Sequence, residues 1–209
     1  MSKEKPIILT DIGGVIFKSQ GIKKALTKLL NEDENGTKIT SAMNLFYETF
    51  TKNITEPEFW KQFSEKLNIK EVKREKFFEN LEYTVNHEYL DFLRLLSNKY
   101  TIGIISDINC VMYNFIKKHI EVFDEIFNSD YIFLSYILEC SKYENKKDFF
   151  HTVKNNIKIS SKNIIYIDDN QENVDNALFN NFVALRYEKE NREIIANKEI
   201  MSEIKKMVR

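Results

Sequence analysis

The sequence predicts an α/β protein: a Rossmann-like parallel sheet core of five strands, with a helical cap inserted after the first strand. Three observations carry this expectation. Five short runs are apolar almost throughout, as strands covered on both faces are. Helix-like stretches separate the later four runs, the βαβ alternation of a parallel sheet. The gap between the first and second runs is far too long for one crossover helix and holds aromatics at helical spacing.

The first run, PIILT (6–10), ends in Asp11-Ile12-Gly13-Gly14. Residues 19–86 then read as an all-helical insert over the first strand's carboxyl end. Its stripe of Leu45, Phe46, Phe50, Phe59, Trp60, Phe63 and Leu67 reads as the insert's own core. The second run, TIGIIS (101–106), leads into the helical VMYNFIKKHIEVF; the third, YIFLS (131–135), into KKDFFHTVKNNI. The fourth, NIIYID (163–168), leads into NVDNALFN, and FVALR (182–186) is the fifth. EIMSEIKKMVR reads as a terminal helix with its lysines on the solvated face. Residues 1–18 and 87–209 are thus assigned to the core and 19–86 to the cap.

The composition is compatible with one domain carrying an insert. The 209 residues are 43% hydrophobic and 13% aromatic, enough for a sizeable core. Lysine and arginine total 31 against 32 acids, so no nucleic acid and no anionic membrane is expected as partner. No apolar run approaches the ~20 residues that span a bilayer. Cys110 and Cys140 make no disulfide framework and no CxxC, which suits a reduced, cytoplasmic protein. His87 and His151 have no metal-ligand spacing and read as surface or packing residues.

In an open parallel sheet, ligands bind beyond the carboxyl ends of the strands. The first run ends in Thr10-Asp11-Ile12-Gly13-Gly14, the second in Ser106-Asp107-Ile108-Asn109, and the fourth in Asp168-Asp169-Asn170. These groups are expected to converge. Asp11 before two glycines reads either as a turn ending a buried strand or as a reactive carboxylate with backbone pressed close to it. Asp168 and Asp169 repel each other unless partnered. A hard divalent cation resolves the repulsion, and Mg²⁺ takes one or two carboxylates with waters and phosphate oxygens. A solvated turn, with Asn170 capping the next helix, accounts for the pair equally well.

Together the four loops resemble the haloacid dehalogenase (HAD) superfamily of hydrolases. ILTDIGGVIF resembles the first motif, whose leading Asp is the nucleophile. GIISDIN resembles the second, an apolar strand ending in Ser or Thr. LSYILECSKYENKKDFF is similar to the third, which supplies a Lys. YIDDNQENVDNAL resembles the fourth, an acidic pair with an Asn a few residues on. The resemblance covers roughly 6–18 and 87–186, and the insert falls at the family's common cap position. It implies Mg²⁺-dependent hydrolysis of a small phosphorylated metabolite, a phosphate monoester, through an aspartyl-phosphate. It implies that Asp11 ligates Mg²⁺ by its carboxylate, Gly13 by its backbone carbonyl, Asp169 directly and Asp168 through a water. Ser106 and Lys142 would engage the phosphate, one by hydrogen bond and one by charge. Lys146 and Lys147 are rivals to Lys142, because the Pro that usually follows the family's Lys is here Tyr143.

Gly13 is the larger departure. Many phosphatases of the superfamily carry an Asp there as general acid and base; the glycine keeps a carbonyl but offers no proton. Asp107 stands where the family often has Asn. It is a candidate at the phosphate, as proton donor to the leaving oxygen, or else it caps the next helix or faces solvent. Two other functions fit the same loops: halide displacement from a 2-haloacid, and a non-catalytic phosphate-binding module. Dehalogenases of the superfamily also lack the second Asp but work without a metal, so the retained Asp168-Asp169 pair counts against that reading.

Overall fold

Strand β1 (Ile7–Thr10) is buried at every residue, which is why its sequence is an unbroken IILT. The structure, a computed structural model, describes residues 6–70, 72–143, 146–157, 164–187, 202 and 204–206. From β1 the chain runs into β2 (Phe17–Gln20), through helices α1 (Ile22–Leu30), α2 (Thr37–Glu48), α3 (Glu56–Leu67) and α4 (Arg74–Glu79), and back on β3 (Glu82–Val85). Next come α5 (His87–Ser97), β4 (Thr101–Ser106), α6 (Cys110–His119), α7 (Phe123–Ile126), β5 (Ile132–Leu134) and α8 (Ser135–Leu138). The last named elements are α9 (Lys146–Asn156), β6 (Ile164–Asp168), α10 (Gln171–Phe179) and β7 (Val183–Arg186).

Five strands form one parallel sheet in the order β5-β4-β1-β6-β7. They are the five apolar runs of the sequence, each within one residue of its expected bounds. β1 lies centrally, with Thr10 opposite Ile104 of β4 and Ile167 of β6. Alternate residues serve opposite faces, as strand geometry requires. Ile7, Leu9, Ile105 and Tyr166 pack with Phe149, Phe150 and Val153 of α9. Ile8, Ile104, Ile165 and Ile167 join the larger core on the other face, with Leu93 of α5 and Val111 of α6. Gly103 in β4 is needed for close approach, since a Cβ there would sit 2.3 Å from the Tyr131 carbonyl oxygen.

The segment expected to be all-helical also holds strand at both ends. β2 and β3 pair antiparallel, from Phe17 opposite Val85 to Gln20 opposite Glu82, and the Phe17 and Tyr83 rings stack at 5.2 Å. These four-residue strands are too short to stand out beside the helical aromatic pattern. Between them, Leu45, Phe46, Phe59, Trp60, Phe63 and Leu67 are buried. The Phe46 and Phe59 rings meet at 4.9 Å, and Trp60 and Phe77 at 5.8 Å. Phe50 is the exception in the stripe: it sits half-buried on a short 3-10 turn, Thr49–Thr51.

Asn109 ties this insert to the sheet. Its buried amide donates to the Phe46 carbonyl and the Thr49 hydroxyl, both at 3.2 Å, while its oxygen caps α6 by accepting the Met112 N–H. The expected terminal helix over 199–209 lies mostly outside the described residues; 202 and 204–206 are helical, with Ile204 buried and Lys205 over the Phe92 ring at 5.4 Å. Among the described residues no helix is long and apolar enough to cross a membrane.

Candidate active site

Because β1, β4 and β6 are parallel neighbours, their carboxyl ends share one edge of the sheet, and the charged loops meet there. Asp11 follows β1 directly and extends its ladder by donating its N–H to the Ile167 carbonyl at 2.8 Å. One carboxylate oxygen of Asp11 accepts the N–H of Ile12 at 2.8 Å. The turn belongs to Gly14, whose φ of 80° is left-handed and favours glycine. Gly13 has no such backbone need, and a Cβ built there would meet nothing within 4 Å.

Lys142 enters from the loop between α8 and α9. Its side chain is only 3% exposed, and Nζ lies 3.1 Å from Asp11 Oδ2 and 2.8 Å from Asp168 Oδ2. Nζ also donates to the Tyr166 hydroxyl at 3.2 Å, and that hydroxyl hydrogen-bonds Asp168 Oδ2. Asp168 takes a further bond from the Asn173 amide at 3.0 Å, and its other oxygen accepts the Asn170 N–H at 2.8 Å. Asp169, next in the chain, is half-buried. Asp11, Asp168 and Asp169 each offer one carboxylate oxygen, and these oxygens lie within 4.8 Å of one another. Asn170 also caps α10, accepting the Glu172 N–H at 2.9 Å, so the capping role coexists with the acidic cluster.

Burial dominates the titration of Asp11 and pushes its carboxyl up to about 7; Lys142 and the Ser106 hydroxyl oppose the shift, while Asp168 and Asp169 add to it. Asp168 goes the other way. Burial would raise it, but the charge and hydrogen bond of Lys142, with Tyr166 and the Asn170 N–H, hold it ionised. Burial likewise works against the Lys142 charge, and Asp11 and Asp168 outweigh it, so the ammonium stays protonated. Asp11 and Asp168 thus share one ammonium, with a carboxylate oxygen of Asp169 close to both.

Ser106, at the end of β4, is buried and reaches Asp11 with its hydroxyl. Asp107, expected at the phosphate, spends its two carboxylate oxygens on backbone. They accept the N–H groups of Lys142 at 2.9 Å and Tyr143 at 3.2 Å. It does not cap α6, a role that Asn109 fills, and burial raises its carboxyl despite the opposing charge of Lys142. The side chains of Lys146 and Lys147 lie outside the described residues. Asp11, Gly13, Ser106, Asp107, Lys142, Asp168 and Asp169 all line one cavity of about 220 Å³. Sequence reasoning missed Tyr166 as a site residue. It stands two residues before Asp168 on the same strand, so it shares that face, and this spacing was the available signal.

A sheet with reactive groups converging at its carboxyl edge is the arrangement of an α/β protein with its ligand site there. The fold is that of HAD-like hydrolases. One similar structure is a predicted HAD-like family hydrolase from Porphyromonas gingivalis, with a TM-score of 0.72, 18% identity, and 98% of each chain covered. Another is a HAD family enzyme from Bacteroides thetaiotaomicron, solved in complex with magnesium and inorganic phosphate. It has a TM-score of 0.67 and 20% identity, and 88% of this chain and 95% of that chain are covered. A third is 2-haloacid dehalogenase from Pseudomonas syringae pv. Tomato DC3000, with a TM-score of 0.63, 13% identity, and 98% of each chain covered. No protein-family model and no curated protein sequence matches the chain.

Proposed function

We propose that this chain is a Mg²⁺-dependent phosphatase of the HAD superfamily, acting on small phosphate monoesters through a covalent intermediate on Asp11. One observation carries the reading: three carboxylates and the buried ammonium of Lys142 meet at the carboxyl edge of the sheet. Asp11 and Asp168 share that one ammonium, and a divalent cation would offset the repulsion among the neighbouring carboxylates. Three hard oxygen donors within 4.8 Å of one another fit Mg²⁺. Asp11, Asp169 and the Gly13 carbonyl would hold the ion, and Asp168, with both oxygens already engaged, would act through a water. When bound, the ion offsets the like charges of Asp11 and the phosphate so that the two can meet.

Asp11 attacks phosphorus. The bond to the carboxylate forms as the bond to the ester oxygen breaks, and the alcohol leaves with a proton taken from water. A second water then cleaves the aspartyl-phosphate, releasing phosphate and restoring the carboxylate. Lys142, held positive, faces the oxygens that gain charge. The Ser106 hydroxyl hydrogen-bonds a phosphate oxygen. The insert acts as a cap that excludes water and bulky substrates, which favours small phosphometabolites over phosphoproteins.

Halide displacement is the second reading, favoured by Gly13 and by the dehalogenase among the similar folds. Phosphate release from a panel of monoesters, with and without Mg²⁺, separates the readings. The expected result is Mg²⁺-dependent release that Asp11→Asn abolishes without altering the circular dichroism spectrum. Metal-independent halide release from 2-chloropropionate would replace the phosphatase reading. Phosphate binding with neither activity would make the chain a binding module.

A further inference from the structure

A second cavity, of about 270 Å³, adjoins the acidic one; Gly13, Ser106 and Asp107 line both. Its other walls are mostly hydrocarbon. Ile12 and Phe17 come from the segment after β1, while Ile108, Met112 and Ile116 come from α6 and the turn before it. Ile22 and Phe50 close it from the insert. Phe50 is the member of the insert's aromatic stripe that its own core does not bury, and this cavity is where it lies.

We propose that this cavity receives the alcohol portion of the substrate, and that this portion is an aryl or branched alkyl group rather than a polyol. The proposal rests on the phosphatase reading and adds the class of ester. A phosphoryl group among Asp11, Ser106 and Lys142 has its ester oxygen within reach of the shared wall at Gly13, Ser106 and Asp107, and the organic group then continues into the apolar space. The polar side chains in the lining are Lys18, Ser106 and Asp107. Ser106 serves Asp11 and, on this reading, the phosphoryl group, while Asp107 is engaged by the backbone of the Lys142 loop. Lys18 can lay its aliphatic stem along the wall. A sugar would give up its water there for few new hydrogen bonds, whereas a ring or branched chain gains by burial. The volume equals that of about nine water molecules, room for a group of about seven to ten heavy atoms.

Benzyl phosphate and glucose 6-phosphate test this, because both are esters of primary alcohols and differ chiefly in what the cavity would hold. The expected kcat/KM with Mg²⁺ is at least tenfold higher for benzyl phosphate, and Phe50→Ser should shrink that ratio at least threefold. Equal rates, or a preference for the sugar ester, would overturn the proposal. Calorimetric binding of benzylphosphonate and methylphosphonate to the Mg²⁺-loaded protein separates the cavity from the chemistry. Tighter binding of benzylphosphonate without hydrolysis of either ester would keep the cavity's role and overturn the phosphatase reading. No advantage for the benzyl group would overturn the cavity's role whatever the turnover.

Discussion

One carboxylate oxygen of Asp107 accepts the backbone N–H of Lys142 at 2.9 Å, so a residue at the end of β4 fixes the loop that delivers the site's buried cation. The second oxygen takes the N–H of Tyr143, which a proline at that position could not donate. Two departures from the HAD pattern, Asp107 and Tyr143, therefore meet in space and make one clamp. Lys142 is held from both ends, by Asp107 at its backbone and by Asp11 and Asp168 at its ammonium.

Asp107→Asn retains one acceptor oxygen and so keeps one of the two backbone bonds. Losing a bond to a charged acceptor costs about 1.5–3 kcal/mol in the arrangement it supports. Phosphate release should slow roughly tenfold, and by the same factor for alkyl phosphates and for p-nitrophenyl phosphate. Selective slowing of alkyl phosphates would make Asp107 a proton donor instead of a clamp.

Tyr166→Phe removes the hydroxyl that touches both Lys142 and Asp168 while leaving the ring against Phe150, whose centroid is 5.2 Å away. The side chain stays apolar and buried, so the fold should persist. By the energy of a hydrogen bond to a charged group, kcat should fall about tenfold or more with KM little changed. Steady-state kinetics on one alkyl phosphate measures the split; an unchanged kcat would show that the hydroxyl only packs.

Asp11 gives the metal-free protein a pH signature. Its carboxyl is pushed from 3.8 up to about 7 by burial, so between those values the folded chain holds a proton that the unfolded chain has lost. Proton binding by the folded state makes stability fall as pH rises through this window and level off above it. The slope should reach up to about 1.4 kcal/mol per pH unit. Urea midpoints across the window, without Mg²⁺, measure it. Saturating Mg²⁺ favours the ionised carboxylate and should flatten the curve. Stability that climbs with pH across the window in the metal-free protein would contradict this account of Asp11.

Gly13→Asp should fold normally, because position 13 has open space around its Cβ direction and no left-handed backbone. If the new carboxyl reaches the leaving oxygen, alkyl phosphates should speed up by as much as about 10²–10⁴-fold. p-Nitrophenyl phosphate, whose leaving group needs no proton, should change little. An equal gain for both ester types would point to something other than acid catalysis.

The sheet was legible because a strand covered on both faces must be an apolar run, and IILT and IIYID can be little else. The meeting of Asp11, Ser106 and Asp168 was legible for a related reason: parallel neighbours present their carboxyl ends together. Lys142 was placed through the HAD resemblance rather than through spacing. The β2–β3 ribbon was hidden because FKSQ and EYTV are each too short to show a period against a strongly helical background. Asn109 was hidden because its meaning depends on Phe46 and Thr49, the latter sixty residues away in the chain. Asp107 was visible as a carboxylate, but its partners are backbone N–H groups, which any sequence possesses and none advertises.

The open space beside Gly13 also has a genetic reading. Two of the four glycine codons differ from an aspartate codon by a single base, so from either of them that carboxylate is one point mutation away, and the space at the Cβ is open. Steric exclusion therefore does not keep position 13 a glycine. An error-prone library built from a gene with such a codon at position 13, selected for growth on an alkyl phosphate, should return that substitution early.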